Sequence, residues 1–191
     1  MEAYSAGQRL FGENHVQELV AKHEELPKDI EWHFTGHLQT NKVKYIASFV
    51  SLVHSVDSLR LVEEIERQGV RFGRVIPCLL QLHIASEESK FGFHPEELES
   101  LLASGELTGF PHVSLRGLMC MATNTDDLCQ IEREFSYAHA IFSNVKKRYF
   151  AADSNFCELS MGMSDDYPIA LLHGSTLIRV GTKIFGNREY F

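Results

Sequence analysis

Residues 156–182, FCELSMGMSDDYPIALLHGSTLIRVGT, decide the fold. They hold two short apolar runs, 156–161 and 176–181, and a polar, glycine-containing segment closes each: Gly162-Met163-Ser164 after the first, Gly181-Thr182 after the second. A strand-length run, a connection and a second such run are the signature of a βα unit with parallel strands.

Moving outward, the unit repeats. Five further runs lie at 9–11, 32–36, 50–56, 76–84 and 113–121. Helical patterns separate them. Val16, Leu19 and Val20 share one face within 15–25, and a helix is expected around 40–49. Asp57 or Ser58 caps a helix with Leu59, Val62 and Ile65 on its apolar side, which Gly69 is expected to stop. Pro95 stands in the first turn of another helix, where its missing N–H costs nothing. A long helix over about 126–148 carries Leu128, Ile131, Phe135, Ala138 and Phe142 along one side. Gly117, inside the fifth run, is expected where a backbone or a ligand comes close.

Seven units in 191 residues without a linker predict one domain over 1–191. Two α/β architectures fit: an open doubly wound sheet, or a (β/α)₈ TIM barrel short of its first strand. Nearly every run ends in a polar, glycine- or histidine-containing segment (GEN, GHLQTNK, HSVDS, ASEESKFG, MATNT, GMSDD, GTKIFGNR). A barrel places all such ends on one rim, whereas an open sheet concentrates them at its switch point. The barrel is favoured. Residues 2–10 read as the middle of a helix rather than a capped start, so a segment upstream is expected.

Composition narrows the function. Lys and Arg number 18 against 26 Asp and Glu, a net charge of −8, so a nucleic-acid or anionic-membrane partner is not expected. No secretory leader or membrane span is legible, and Cys78, Cys120, Cys129 and Cys157 are widely spaced, which fits reduced thiols in the cytoplasm. The ten histidines include no HExxH or HxH spacing, so no metal site is expected.

With a strand missing in front, the last two runs become strands seven and eight, whose loops commonly form a barrel's phosphate site. Glycine amides and Ser and Thr hydroxyls there suit a dianion; the plain alternative makes the glycines turn formers only. Arg179 alternates with Ile178 and Val180 and so points inward, towards an anionic or acceptor partner or into a structural ion pair with Glu158. Met119, Met121, Met161 and Met163 either fill core or line an apolar wall for a flat ring. Lys42 and Lys90 are loop candidates for holding an anion, with plain solvation as the alternative.

Seven motifs together resemble the pyridoxal phosphate homeostasis proteins, single-domain relatives of the barrel half of alanine racemase: Phe11–Glu18, Trp32–Lys42, His54–Asp57, Glu88–Gly92, Gly117–Ala122, Leu159–Ser164 and Arg179–Gly186. The resemblance implies a barrel of alanine racemase N-terminal-domain type holding pyridoxal 5′-phosphate (PLP). It implies that Ser164, Gly181 and Thr182 contact the phosphate, that Arg179 lies near the pyridine nitrogen, and that Asn14 and Met161 flank the ring. An arginine there discourages protonation of the pyridine nitrogen and weakens the cofactor as an electron sink, so little or no catalysis is implied.

The family holds its cofactor covalently on a lysine of the first barrel strand. These 191 residues start after that strand, so that anchor is expected upstream, and the chain by itself is expected to bind PLP weakly or not at all. The leading expectation is a monomeric, cytoplasmic protein that buffers PLP and delivers it to PLP-dependent apo-enzymes. A PLP-dependent racemase is the alternative; the few residues after the last run, ending at Asn187–Phe191, are expected to leave no room for a racemase's second domain. A third reading is an interaction module, or a barrel hydrolase for another phosphate ester.

Overall fold

The computed structural model describes residues 1–87 and 90–186. Glu88 and Ser89 of the fourth motif and the terminal 187–191 lie outside them. After a short helix α1 (Glu2–Ser5), strands and helices alternate. The strands are β1 (Leu10–Glu13), β2 (Glu31–Phe34), β3 (Leu52–Val56), β4 (Ile76–Leu82), β5 (Val113–Cys120), β6 (Glu158–Met163) and β7 (Leu177–Arg179). Helices α2 (Val16–Glu25), α3 (Val43–Ile46), α4 (Leu59–Phe72), α5 (Pro95–Ser104), α6 (Leu128–Tyr149) and α7 (Tyr167–Leu172) connect them, and α8 (Thr182–Phe185) follows β7.

Local signals place the helices. The Asp127 carboxylate accepts from the Cys129 and Gln130 N–H groups at 3.0 and 3.2 Å and so caps α6. Its buried face is Ile131, Phe135, Ala138, Phe142 and Val145, the three- and four-residue spacing of an amphipathic helix. Lys146, Lys147 and Arg148 in the last turn complement the helix dipole. One boundary differs from expectation. Gly69 does not stop α4, which runs on to Phe72 and ends on the left-handed Gly73. A Cβ at Gly69 would lie 2.6 Å from His112 Cβ, so this glycine lets the β5 approach pack against the helix. The helix expected around 40–49 is a 3₁₀ turn, Thr40–Lys42, followed by the single turn of α3.

The seven strands pair in sequence order, all parallel. β3 and β6 are three strands apart, which in a flat sheet is roughly 14 Å. Yet His54 Nδ1 of β3 lies 2.9 Å from Ser160 Oγ of β6. The sheet therefore curls into a barrel wall, as expected, and β1 and β7 are its two edges. All strand ends then share one rim.

The two faces differ sharply. Between sheet and helices lies an extensive apolar layer that includes Trp32, Phe34, Ile65, Leu80, Leu118, Phe135, Phe156 and Leu159. The inner face carries only a small apolar cluster, Leu52, Leu79 and Met119, with Met121 and Leu177 packed on it. Above it stand His33, His54, Ser160 and Arg179, joined by hydrogen bonds.

Gly117 marks the tightest contact in the wall. Its φ is +150°, and a Cβ there would lie 1.8 Å from the Glu158 carbonyl oxygen across the β5–β6 pairing. The approaching group is thus backbone. Gly117→Ala is expected to cost about 3 kcal/mol or to prevent folding. Gly109→Ala meets open space and is expected to stay within about 0.5 kcal/mol of wild type. Urea unfolding of both variants checks the contrast.

Candidate functional site

The rim around β6 and β7 brings together the residues singled out for a phosphate. Ser164 follows β6 and Gly181 follows β7, and the Gly181 N–H donates to Ser164 Oγ at 3.2 Å. Ser164 is only 6% exposed, and its own hydroxyl hydrogen has no acceptor among the described residues. Thr182 opens α8, and its hydroxyl and backbone N–H make no hydrogen bond among the described residues. Nothing stands within 4 Å of the point where a Gly181 Cβ would be. A buried hydroxyl with a hydrogen to give, beside unused donors and free space, fits a phosphate group.

The glycines are not equivalent. Gly162, expected to let amides reach the anion, serves packing: a Cβ there would lie 2.6 Å from Ala170 Cβ and 3.0 Å from Tyr167 Cα, so it seats α7 against β6. Asp166 accepts from the Met163 N–H at 2.5 Å and shapes the turn that presents Ser164.

Arg179 points inward. Its Nη1 donates to Ser160 Oγ at 2.7 Å and its Nη2 to the Cys120 carbonyl at 3.0 Å. The ion pair with Glu158 that the sequence left open does not form; the Glu158 carboxylate instead accepts from the Thr176 hydroxyl at 2.6 Å. Among the described residues no carboxylate pairs with Arg179. Burial is the main cause that pushes its pKa below the ordinary arginine value, and Cys120 and Asp166 act the other way. The result is a fixed cation held by neutral acceptors.

The remaining candidates divide. Asn14 stands just past β1, at the sheet edge opposite β7, where its side-chain oxygen accepts from the Thr35 hydroxyl at 2.6 Å. Gly36 lets the ends of β1 and β2 meet there, since a Cβ on it would lie 2.1 Å from the Asn14 carbonyl oxygen. Met161 is a correction. It is fully buried in the layer between sheet and helices, because alternation along β6 turns Ser160 inward and Met161 outward. Its side chain therefore does not flank a ring inside the barrel; Met119 is the methionine of the inner cluster. Lys90 is engaged with the Ala122 carbonyl at 2.7 Å and with Glu87 at 3.0 Å. The Cys78 and Cys120 thiols are buried, which raises both pKa values, that of Cys120 to about 12.

Three side chains escaped the reading of the sequence as site residues: His33, His54 and Ser160. Their signal was the strand alternation itself, which sets His54 opposite to Val53 and Ser160 opposite to Leu159. Alternation told the two faces apart, but not that β3 and β6 would touch.

Comparison with known proteins extends the geometry. Residues 1–189 match the family model of the alanine racemase N-terminal domain. The chain is 38% identical over 192 residues to a pyridoxal phosphate homeostasis protein of Pasteurella multocida, covering 99% of this chain and 81% of that protein. It is 39% identical over 194 residues to the one of Escherichia coli K12, covering 99% and 80%. Among solved structures, PipY of Synechococcus elongatus superposes with a TM-score of 0.89 without PLP and 0.85 with PLP bound. Both are 38% identical and cover 97% of this chain and 85% of that one. Alanine racemase from Bartonella henselae shares the fold at a TM-score of 0.66 and 15% identity, covering 98% of this chain and 50% of that one. The chain belongs to the alanine racemase N-terminal domain family and, within it, to the pyridoxal phosphate homeostasis proteins.

Proposed function

We propose that this protein binds pyridoxal 5′-phosphate at the β6–β7 rim and holds it in reserve for other proteins rather than using it in catalysis. The observation that carries the reading is the side-by-side placement of Ser164 and Gly181, with Thr182 next in the chain and Arg179 just below. The names of the relatives and the PLP-bound form of PipY support it. Bound PLP supplies an aldehyde that reacts with amines and a ring that withdraws electrons. Ser164 donates its hydroxyl hydrogen to a phosphate oxygen, and Thr182 adds a hydroxyl and an amide. Arg179 sets a permanent positive charge towards the ring nitrogen, which disfavours a proton there and blunts the ring's pull on electrons. Asn14 closes the rim from the β1 side. Delivery to PLP-dependent apo-enzymes by a monomeric, cytoplasmic carrier follows from the same reading.

Equilibrium dialysis of the full-length protein with PLP tests the site. Ser164→Ala is expected to weaken retention by about 1 to 2 kcal/mol, the loss of one hydrogen bond to a charged group. Retention equal to wild type would remove Ser164 from the site. Incubation of the PLP-loaded protein with L-alanine, followed by chiral chromatography, is expected to yield no D-alanine. Steady turnover would favour the racemase reading.

A further inference from the structure

Below the phosphate cradle runs a line of polar side chains for which the proposed function has so far found no use. His33 Nδ1 lies 3.0 Å from His54 Nε2, His54 Nδ1 lies 2.9 Å from Ser160 Oγ, and Arg179 Nη1 lies 2.7 Å from that same oxygen. The four residues come from β2, β3, β6 and β7, so the line crosses the barrel interior. His54 and Ser160 are buried, at 2% and 0% exposure. Glu158 stands near enough to His33 for its charge to favour a proton on that ring, although burial outweighs it.

Counting donors and acceptors gives the line a direction. Arginine only donates, so Ser160 Oγ accepts from Arg179 and has one hydrogen left to give. His54 Nδ1 is the acceptor within reach. A neutral imidazole that accepts at Nδ1 carries its hydrogen on Nε2, which then donates to His33 Nδ1. Each bond thus points away from the guanidinium and towards the side where Glu158 lies. The opposite direction would make Ser160 accept twice and strand its hydroxyl hydrogen in a buried site, a costly arrangement.

We propose that His54, backed by His33, is a positioning residue that acts through Ser160 to hold the Arg179 guanidinium in place for the cofactor ring. The role rests on the reading that Arg179 faces that ring. Without an acceptor at His54 Nδ1, the Ser160 hydroxyl is free to rotate, and one of the two anchors of Arg179 loosens. Protonation of His54 would do the same, because Nδ1–H would then have to donate to Ser160 Oγ. The charged and titratable groups around the line oppose that proton or lie at its far ends: His33 on β2, Cys120 on β5, Glu158 at the start of β6, Asp166 beyond its end and Arg179 on β7. Burial, His33 and Arg179 all hold His54 well below the ordinary histidine value, so it is neutral at neutral pH.

Two measurements test this. The first uses the cofactor-free protein and long-range ¹⁵N–¹H NMR of the imidazole rings. His54 is expected as the neutral Nε2–H tautomer at about pH 7, and Ser160→Ala is expected to weaken that tautomer bias. A His54 that is protonated, or carries its hydrogen on Nδ1, overturns the proposal. The second compares PLP retention by dialysis with the ³¹P shift of the bound phosphate. His54→Leu, which removes the acceptor, is expected to raise the Kd about tenfold while the ³¹P shift stays put, since the phosphate cradle is untouched. His54→Asn, whose side-chain oxygen can stand near the place of Nδ1, is expected to restore retention to within about threefold of wild type. Equal retention by wild type and His54→Leu, or no rescue by His54→Asn, counts against the role. If the full-length wild-type protein itself retains no PLP, the functional reading fails, and the tautomer result still decides the hydrogen-bond line.

Discussion

A parallel sheet must cover both of its faces, and this chain does so by curling. Helices cover the outside with a broad apolar layer, while curvature brings β3 and β6 close enough for His54 and Ser160 to share a hydrogen bond of 2.9 Å. The small inner cluster of Leu52, Leu79 and Met119 fills only part of the interior. The rest is polar and hydrogen-bonded, which a buried region tolerates only when its donors and acceptors are matched.

Arg179 is where this matching bears on the proposed function. A half-buried guanidinium beside a carboxylate would form an inert structural pair. Here Ser160 and the Cys120 carbonyl hold the group in place without cancelling its charge. The side chain is fixed by two hydrogen bonds, and no carboxylate among the described residues pairs with it. The same economy appears at the rim, where Ser164 accepts from the Gly181 amide and its own hydroxyl hydrogen has no acceptor among the described residues. Both features lie towards the ends of β6 and β7, whose pairing shifts register between Ser160 and Met163.

Much of this was legible in the residues. The alternation of apolar runs and helical faces predicts seven βα units, and all seven form. The serine and glycine–threonine pairing at the last two strand ends is legible because turn chemistry and anion chemistry are local. Two things misled. Gly69 looked like a stop signal because a glycine late in a helix usually is one, but the packing of His112 against α4 demanded it mid-helix. Met161 looked like a wall for the ring because it stands in the right motif, whereas its neighbour Ser160 has the inward position.

The chain by itself therefore determined the parallel α/β architecture, the net negative charge and the serine and glycine–threonine turns that close the last two strands, since periodicity, composition and turn residues are read from the chain directly. Tertiary structure alone decided which acceptors hold Arg179 and that His54 and His33 stand behind them. Those partners lie up to 106 residues apart in sequence, and only the curvature of the sheet, which no local pattern records, brings their atoms within hydrogen-bonding reach.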